Sequence, residues 1–191
     1  MTRRSLPATN DFCPQSLFLY GAYNEDGTAN FGLFCWATYG WDEGLIFIAS
    51  IGEPKLTQEL IRRNGVFSAN LVTEKLLPLA DWMGNHAGEK GEKKGLELTV
   101  EKGRVLNVPT LAESPVSMEL EVFRTVELEA GAVVFLSRIR NVLQDHSLGD
   151  DSTPLAERLR AAAPVSTTCS TYFSWEGEAL GGWGEPQQRW K

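Results

Sequence analysis

The sequence predicts an α+β chain that is mainly β, in which the main sheet is an antiparallel barrel with short flanking helices. About six segments have the length and the apolar or alternating pattern of strands, and turns rich in Gly, Asn and Asp separate them. Two short segments between these strands have the spacing typical of helices. Strands interrupted by few and short helices indicate this fold class.

The first strands are predicted to form a hairpin. Residues 17–23 are apolar and aromatic, as in a strand, and residues 24–27 (Asn-Glu-Asp-Gly) predict a tight turn in which Gly27 takes a positive φ. Residues 30–39, which are rich in aromatic side chains, predict the returning strand. Residues 40–44 then turn into the next strand.

A strand–helix junction is the most informative local feature of the chain. Residues 45–51 predict a buried strand, and a helix is expected to follow at once with Pro54 in its first turn. Free N–H groups and the helix dipole make such a junction an anion site, for which Ser50, Lys55 and Thr57 add two hydroxyls and an ammonium. These groups suit a phosphate monoester, whereas an ordinary solvated helix start remains the alternative.

The rest of the chain continues the same pattern. The pair Asn64-Gly65 predicts a helix C-cap. A strand is expected over residues 66–72 and a short helix over about residues 75–83, with Pro78 in its first turn. Residues 85–95 form a polar loop, residues 116–128 and 132–143 a long hairpin, and residues 150–163 a turn with a possible short helix.

Length and composition limit the function classes. At 191 residues, with 42% hydrophobic residues, residues 1–191 are expected to form one domain. The net charge of −7 argues against non-specific nucleic-acid binding and against an anionic membrane surface. No apolar stretch approaches the roughly 20 residues that span a bilayer, and none follows Arg3 and Arg4 as in a secretory signal. Three separated cysteines, an odd number, predict reduced thiols and a cytoplasmic protein.

Several catalytic motifs are absent from the sequence. Neither His86 nor His146 has Asp, Glu or Cys at a metal-ligand spacing, so no metal site is predicted. The chain contains no serine nucleophile elbow, no strand-borne G-x-G-x-x-G and no P-loop lysine. We therefore predict no catalytic side chain.

Four groups of motifs follow one another along the chain. They are Asn30 to Trp36 with Ala37 and Thr38; Ser50 through Lys55 and Thr57 to Leu60-Ile61, leading to residues 67–71; the loop of residues 87–93; and residues 113–116 with residues 172–181. Together they resemble the flavin reductase-like family with an FMN-binding split barrel, most closely its flavoredoxin branch. The loop departs from the family pattern of Ser, Arg and Asp at Ala87, Glu89 and Lys90, and Glu92 replaces the Asp before Lys93.

The resemblance implies a split, antiparallel Greek-key β-barrel that binds FMN. The phosphate would lie at the helix start, the isoalloxazine against the strand after Trp36, and the loop of residues 85–93 over the flavin. The implied cofactor-binding residues are Asn30, Trp36, Ala37, Thr38, Ser50, Ile51, Lys55, Thr57, Asn85, His86, Gly88 and Lys93. A homodimer with flavin near the subunit boundary is also implied, and that boundary could be lined by Tyr172, Phe173, Trp175 and Trp183.

Each of these residues has an ordinary structural alternative. Trp36 could be a core residue, Asn30 could satisfy a hairpin, and His86 and Lys93 could be solvated. Three functions remain open on the sequence alone. The first is an FMN-dependent oxidoreductase that takes hydride from NAD(P)H at flavin N5 and passes electrons on. The second is an FMN electron carrier supplied by a redox protein, and the third is a non-catalytic barrel that binds another phosphorylated ligand.

Overall fold

Seven strands form the main sheet of the protein, and every strand pair in it is antiparallel. The computed structural model describes residues 3–86, 93, 96–176 and 179–190. The strands are β1 (Gln15–Ser16), β2 (Phe18–Tyr23), β3 (Ala29–Phe34), β4 (Ala37–Trp41), β5 (Leu45–Ile51), β6 (Val66–Leu71), β7 (Val100–Lys102), β8 (Pro109–Leu111), β9 (Val116–Glu127), β10 (Val133–Gln144), β11 (Ser166–Thr167), β12 (Thr171–Phe173) and β13 (Ala179–Gly182). The helices are α1 (Leu56–Asn64), α2 (Leu77–Asn85) and α3 (Leu155–Ala162), and two 3-10 turns span His146–Leu148 and Pro186–Arg189.

The order of the main sheet explains how it closes. Its strands follow the order β3-β2-β6-β9-β10-β5-β4, so the two edge strands are consecutive in the chain. Only Cys35 and Trp36 link them, which keeps the Cα atoms of Phe34 and Ala37 within about 11 Å of each other. The two edges therefore meet at this corner, and the sheet curls into a barrel that is split between β3 and β4. This architecture confirms the predicted fold class of a split β-barrel with short flanking helices.

The structure confirms the first hairpin and corrects the strand that follows it. Strands β2 and β3 pair from Phe18↔Phe34 to Tyr23↔Ala29, and Gly27 has the expected positive φ of 81°. The prediction of one continuous strand over residues 30–39 was wrong. This segment ends one edge of the sheet as β3 and begins the other edge as β4, which pairs with β5.

The helices begin slightly later than the sequence predicted. We expected Pro54 in the first turn of α1, but the helix begins at Leu56 and Lys55 is its N-cap residue. Its C-cap is Gly65 as predicted, with a positive φ of 68°. Helix α2 begins at Leu77 with Pro78 in its first turn, where the missing N–H removes no intrahelical hydrogen bond. No helix in the described ranges has both the length and the apolar character needed to cross a membrane.

Two apolar cores lie on opposite faces of β2, because side chains alternate along a strand. Phe18 and Tyr20 point into the barrel, whereas Leu17 and Leu19 pack against the outside, where α2 lies. The barrel core contains Phe18, Tyr20, Ala22, Phe34, Phe47, Ala49, Ile51, Leu60, Ile61, Phe67, Ala69, Met118, Leu120, Val133 and Phe135. Because both faces of the β2–β3 hairpin are buried, packing holds the hairpin between the barrel core and α2.

A buried carboxylate anchors the loop between β7 and β8. Glu119 lies in the predicted long hairpin of β9 and β10, and its side chain is 0% exposed. It accepts hydrogen bonds from the backbone N–H groups of Arg104, Val105 and Leu106 at 2.8, 2.9 and 2.6 Å, and from Asn141 Nδ2 at 2.7 Å. Burial raises the pKa of the Glu119 carboxyl, but these hydrogen bonds lower it more, so the pKa lies below its ordinary value.

Candidate functional site

The junction between β5 and α1 forms one end of the candidate site. Lys55 has an extended backbone, with φ −143° and ψ 149°, and among the described residues no side chain caps the helix. The first N–H groups of a helix lack intrahelical partners, and the helix dipole adds positive charge there. Lys55 Nζ lies 3.7 Å from a carboxylate oxygen of Glu53, but both side chains are more than half exposed, which makes this ion pair weak. The Lys55 ammonium thus remains available to an anion.

This helix start opens on a cavity of about 370 Å³, called here the α1 cavity. Its lining combines polar groups from β3 and α1 with aliphatic and aromatic side chains. The lining residues are Asn30, Gly32, Leu33, Phe34, Pro54, Lys55, Leu56, Thr57, Met83, Gly84, Asn85, His86, Lys93 and Trp183. Six of the twelve predicted cofactor-binding residues, Asn30, Lys55, Thr57, Asn85, His86 and Lys93, therefore line one cavity.

A buried hydrogen bond orients the polar floor of the α1 cavity. Asn30 Nδ2 donates to Thr57 Oγ1 at 2.8 Å, and both side chains are buried. Since Thr57 Oγ1 accepts this hydrogen bond, its own O–H is left to donate elsewhere, and the cavity is the adjacent space. Gly32 keeps the floor open, because a Cβ there would lie 2.7 Å from Thr57 Oγ1 and 2.8 Å from Phe34 Cε2.

The opposite side of the cavity is formed by the end of α2, by Lys93 and by the C-terminal segment, which here means the described residues from Tyr172 onward. Lys93 Nζ donates to the backbone O of Phe31 at 2.7 Å, which places a second cation on the cavity wall. The ring of His86 stacks on Trp82 with the ring centroids 3.9 Å apart. Asn85 Oδ1 accepts a hydrogen bond from Trp183 Nε1 at 2.6 Å. Asn85 and His86 thus hold aromatic groups in place as well as lining the cavity.

Asp81 anchors the C-terminal segment that supplies Trp183. Its carboxylate is fully buried and accepts hydrogen bonds from Tyr172 Oη at 2.7 Å and from the backbone N–H groups of Gly184 and Gln187, both at 3.0 Å. Burial, and then the Asp81 carboxylate, raise the pKa of the Tyr172 phenol far above its ordinary value, so this phenol stays a donor. The segment expected at a subunit boundary therefore packs on α2 of its own chain.

A second cavity of about 410 Å³, called here the Trp36 cavity, adjoins the first and shares Leu33, Phe34, Lys55 and Trp183 with it. The predicted residues Trp36 and Ser50 line it. Trp36 is 48% exposed rather than a core residue, and its ring lies against Gly52, where any Cβ would collide with it. Ser50 N donates to the backbone O of Trp36 at 2.8 Å, which fixes the Trp36 backbone beside the strand end.

Three predicted residues are not brought to these two cavities. Ala37 and Thr38 line a different cavity of about 630 Å³, which residues of β2, β5 and β9 also line. The Ile51 side chain is 0% exposed and points into the barrel core, so it cannot contact a ligand in the α1 cavity. Ser50 and Ile51 differ in this way because successive side chains of β5 face opposite sides of the sheet. Gly88, with most of the loop of residues 87–93, lies outside the described residues.

Sequence reasoning missed Gly32, Phe34 and Met83 as lining residues. It placed Asn30 and Trp36 on one strand but had no signal for which residues between them face the helix. The alternation of side chains along a strand was a partial signal for the lining residues, since Asn30, Gly32 and Phe34 share one face of β3. The anchoring role of Asp81 carried no local signal, because Tyr172, Gly184 and Gln187 are 91 or more residues away.

Comparison with known proteins gives consistent matches. The family model of the Flavin reductase like domain matches residues 12–166. An uncharacterised protein of Aeropyrum pernix is 32% identical over 84 residues, a match that covers 43% of this chain and 32% of that protein. The chain thus spans about a third of the length of this curated relative.

Solved structures resemble nearly the whole chain. The flavoredoxin from Methanosarcina acetivorans has a TM-score of 0.79 at 22% identity, and the match covers 96% of this chain and 97% of that one. The flavoredoxin of Desulfovibrio vulgaris (Miyazaki F) has a TM-score of 0.76 at 26% identity and 94% coverage of both chains.

Proposed function

The chain belongs to the Flavin reductase like domain family, and on that premise we propose that it is an FMN-binding oxidoreductase. FMN, when bound, accepts a hydride from NAD(P)H at N5 and passes the electrons on. The α1 cavity is the observation that carries this proposal, because it joins a cationic helix start to aromatic and aliphatic walls. A ligand with a phosphate at one end and a flat apolar ring at the other matches both parts.

The phosphate end is supported by the donors around the start of α1. Lys55 supplies an ammonium, Thr57 supplies a hydroxyl oriented by Asn30, and the first turn of the helix supplies backbone N–H groups. Charge-assisted hydrogen bonds of this kind are the strong ones in protein–phosphate recognition. The residues present therefore fit FMN, and they also explain why riboflavin, which lacks the phosphate, should bind less well.

The ring end is supported by the walls that both cavities share. Phe34, Leu33 and Trp183 form an apolar surface between the helix start and Trp36. Such a surface excludes water from a bound ring and orients it, which are the tasks of the protein in flavin chemistry. The proposal assigns no acid or base role to a side chain.

The test has two stages. Apo-protein is titrated with FMN, FAD and riboflavin, and flavin fluorescence reports the dissociation constants. The FMN complex is then mixed anaerobically with NADH or NADPH, and the loss of flavin absorbance reports reduction. Tighter binding of FMN than of riboflavin supports the phosphate site. Equal affinity for the two would contradict it, and no binding of any flavin would overturn the whole proposal.

An electron carrier is the second candidate, and the likeness to two flavoredoxins favours it. In that case the protein holds FMN in the same cavity, and a redox protein supplies the electrons. The second stage of the test separates the candidates. A complex that NADH and NADPH fail to reduce, but that a reduced ferredoxin or flavodoxin reduces rapidly, is a carrier rather than a reductase.

We further propose that the protein forms a homodimer. Tyr39 and Trp41 lie on the edge strand β4, with Leu45 on the adjoining β5, and they are 51%, 79% and 52% exposed. An edge strand that carries large apolar side chains is typical of a surface that a partner covers. Sedimentation of the wild type as a dimer, and of Trp41→Glu as a monomer, is the expected result. A wild type that sediments as a monomer at micromolar concentration contradicts this proposal.

A further inference from the structure

Two cysteines distant in sequence meet on the wall of the Trp36 cavity. Cys35 Sγ and Cys169 Sγ lie 3.3 Å apart, although 134 residues separate them in the chain. Cys35 lies in the link at the split of the barrel, and Cys169 lies in the turn between β11 and β12. The third cysteine, Cys13, is exposed and forms no contact with either sulfur among those recorded for the described residues.

The surroundings hold Cys169 in position for this contact. Its backbone has a positive φ of 70°, which is unusual for a residue other than glycine. Its N–H donates to Thr167 Oγ1 at 3.0 Å, which stabilises this strained turn. Trp36 Nε1 donates to Cys169 Sγ at 3.2 Å. Because Cys169 Sγ already accepts this hydrogen bond, the S–H···S hydrogen bond of the pair is best donated by Cys35.

The two sulfurs are partly buried and can still be reached from the cavity. Burial, and then the contact with Cys169, raise the pKa of the Cys35 thiol to about 12, so Cys35 keeps its proton while the pair is reduced. Both cysteines are half-buried and line the Trp36 cavity, so a small molecule that enters it can reach the sulfurs.

We propose that Cys35 and Cys169 form a reversible dithiol–disulfide pair, which exchanges electrons with a small disulfide that enters the Trp36 cavity. The Cys169 sulfur attacks one sulfur of the incoming disulfide and releases the first thiol, which leaves a mixed disulfide on Cys169. The Cys35 sulfur then attacks Cys169, forms the Cys35–Cys169 bond and releases the second thiol. The two protein thiols are oxidised, the incoming disulfide is reduced, and the two thiol protons leave with the products.

The geometry allows the two thiols to form a bond after a small movement. The sulfurs must approach by about 1.2 Å to reach the S–S bond length of roughly 2.05 Å. The turn that carries Cys169 and the two-residue link that carries Cys35 lie outside the strands, so neither ladder has to break. The exchange involves residues of this chain alone and needs no flavin, so it is independent of FMN binding.

The experiment measures free thiols instead of activity. The purified protein is equilibrated with mixtures of reduced and oxidised glutathione, quenched with acid, alkylated under denaturing conditions and analysed by mass spectrometry. We expect the number of alkylated cysteines to fall from three in the reduced protein to one or none. A peptide that joins Cys35 to Cys169 should appear, with a mass two hydrogen atoms below that of the two separate peptides. Dithiothreitol should restore all three thiols.

Matched variants separate this pair from the exposed thiol. Cys13→Ser should form the same linked peptide, whereas Cys35→Ser and Cys169→Ser should each lose it. The proposal is overturned if no peptide joining Cys35 to Cys169 forms in either the wild type or Cys13→Ser under conditions that already modify Cys13. A bond that joins Cys13 to Cys169 instead also overturns it. Because Cys13→Ser leaves both members of the pair intact, the result does not depend on whether the other variants fold.

Discussion

Replacing Lys55 by alanine should weaken FMN binding strongly and leave the fold intact. The ammonium lies at the start of α1, on the wall of the α1 cavity. Its one recorded ion pair joins it to Glu53 at 3.7 Å, and the Lys55 side chain is 52% exposed. An exposed pair of this kind contributes roughly 0–1 kcal/mol to folding, so the melting temperature of Lys55→Ala should stay close to that of the wild type.

The expected loss in binding is much larger than this. A hydrogen bond between an ammonium and a phosphate contributes about 1.5–3 kcal/mol. A loss of this size raises the dissociation constant about 10- to 150-fold. The helix N–H groups and Thr57 remain in the variant, so binding should be weakened and not abolished.

The assay compares two ligands on two variants. Apo-proteins are titrated with FMN and with riboflavin at low ionic strength, where electrostatic attraction is least screened. Lys55→Ala should weaken FMN binding and leave riboflavin binding unchanged, because riboflavin has no phosphate. Lys102→Ala, at an exposed position on β7, is the matched control and should change neither constant. An equal loss for both ligands would refute a phosphate contact, and an unchanged FMN constant would remove Lys55 from the site.

Three further predictions follow from buried or crowded groups. Glu119→Gln should destabilise the fold by about 2 kcal/mol or more, since hydrogen bonds to a buried carboxylate are lost. Because the pKa of Glu119 is lowered in the folded protein, its stabilisation is complete above the unfolded-state pKa of about 4.3 and disappears as the pH falls through the folded-state pKa. Urea titrations of wild type and variant should therefore converge at low pH. Asp81→Ala should leave three donors of the C-terminal segment without an acceptor, at a cost of about 3 kcal/mol or more, and limited proteolysis should cut this segment first; an unchanged cleavage pattern would contradict its anchoring role. Gly32→Ala should raise the dissociation constant for FMN at least tenfold by displacing Thr57, whereas Gly182→Ala, whose Cβ meets nothing closer than 3.7 Å, should not.

Local sequence signals predicted the parts of the site that lie close together in the chain. Three local signals were enough to predict that α1 directly follows β5. They are the apolar run over residues 45–51, which is rich in β-branched residues, the break before Pro54, and the apolar spacing of Leu56, Leu60 and Ile61. A helix start within five residues of a strand end has few possible geometries. Lys55 and Thr57 could therefore be assigned to an anion site before any tertiary contact was known.

Contacts between distant segments could not be predicted in this way. The hydrogen bond from Trp183 to Asn85 joins residues 98 apart, and the contact between Cys35 and Cys169 joins residues 134 apart. Neither pair has a periodicity or a spacing that marks it, because each depends on how segments far apart in the chain pack together. The sequence predicted an apolar, aromatic tail but could not distinguish packing on its own chain from packing on a partner.

The split of the barrel explains why the error over residues 30–39 matters for function. A continuous strand would have kept Cys35 and Trp36 inside a hydrogen-bonded ladder, with their side chains on opposite faces. Because the chain leaves one sheet edge at Phe34 and joins the other at Ala37, these two residues lie outside the strand pairs, and Trp36 keeps only the backbone hydrogen bond that its O accepts from Ser50 N. Both then face the Trp36 cavity, where Trp36 lies against Gly52 and Cys35 meets Cys169. The corner that closes the barrel therefore also brings the indole and the thiol pair to the cavity proposed to adjoin FMN.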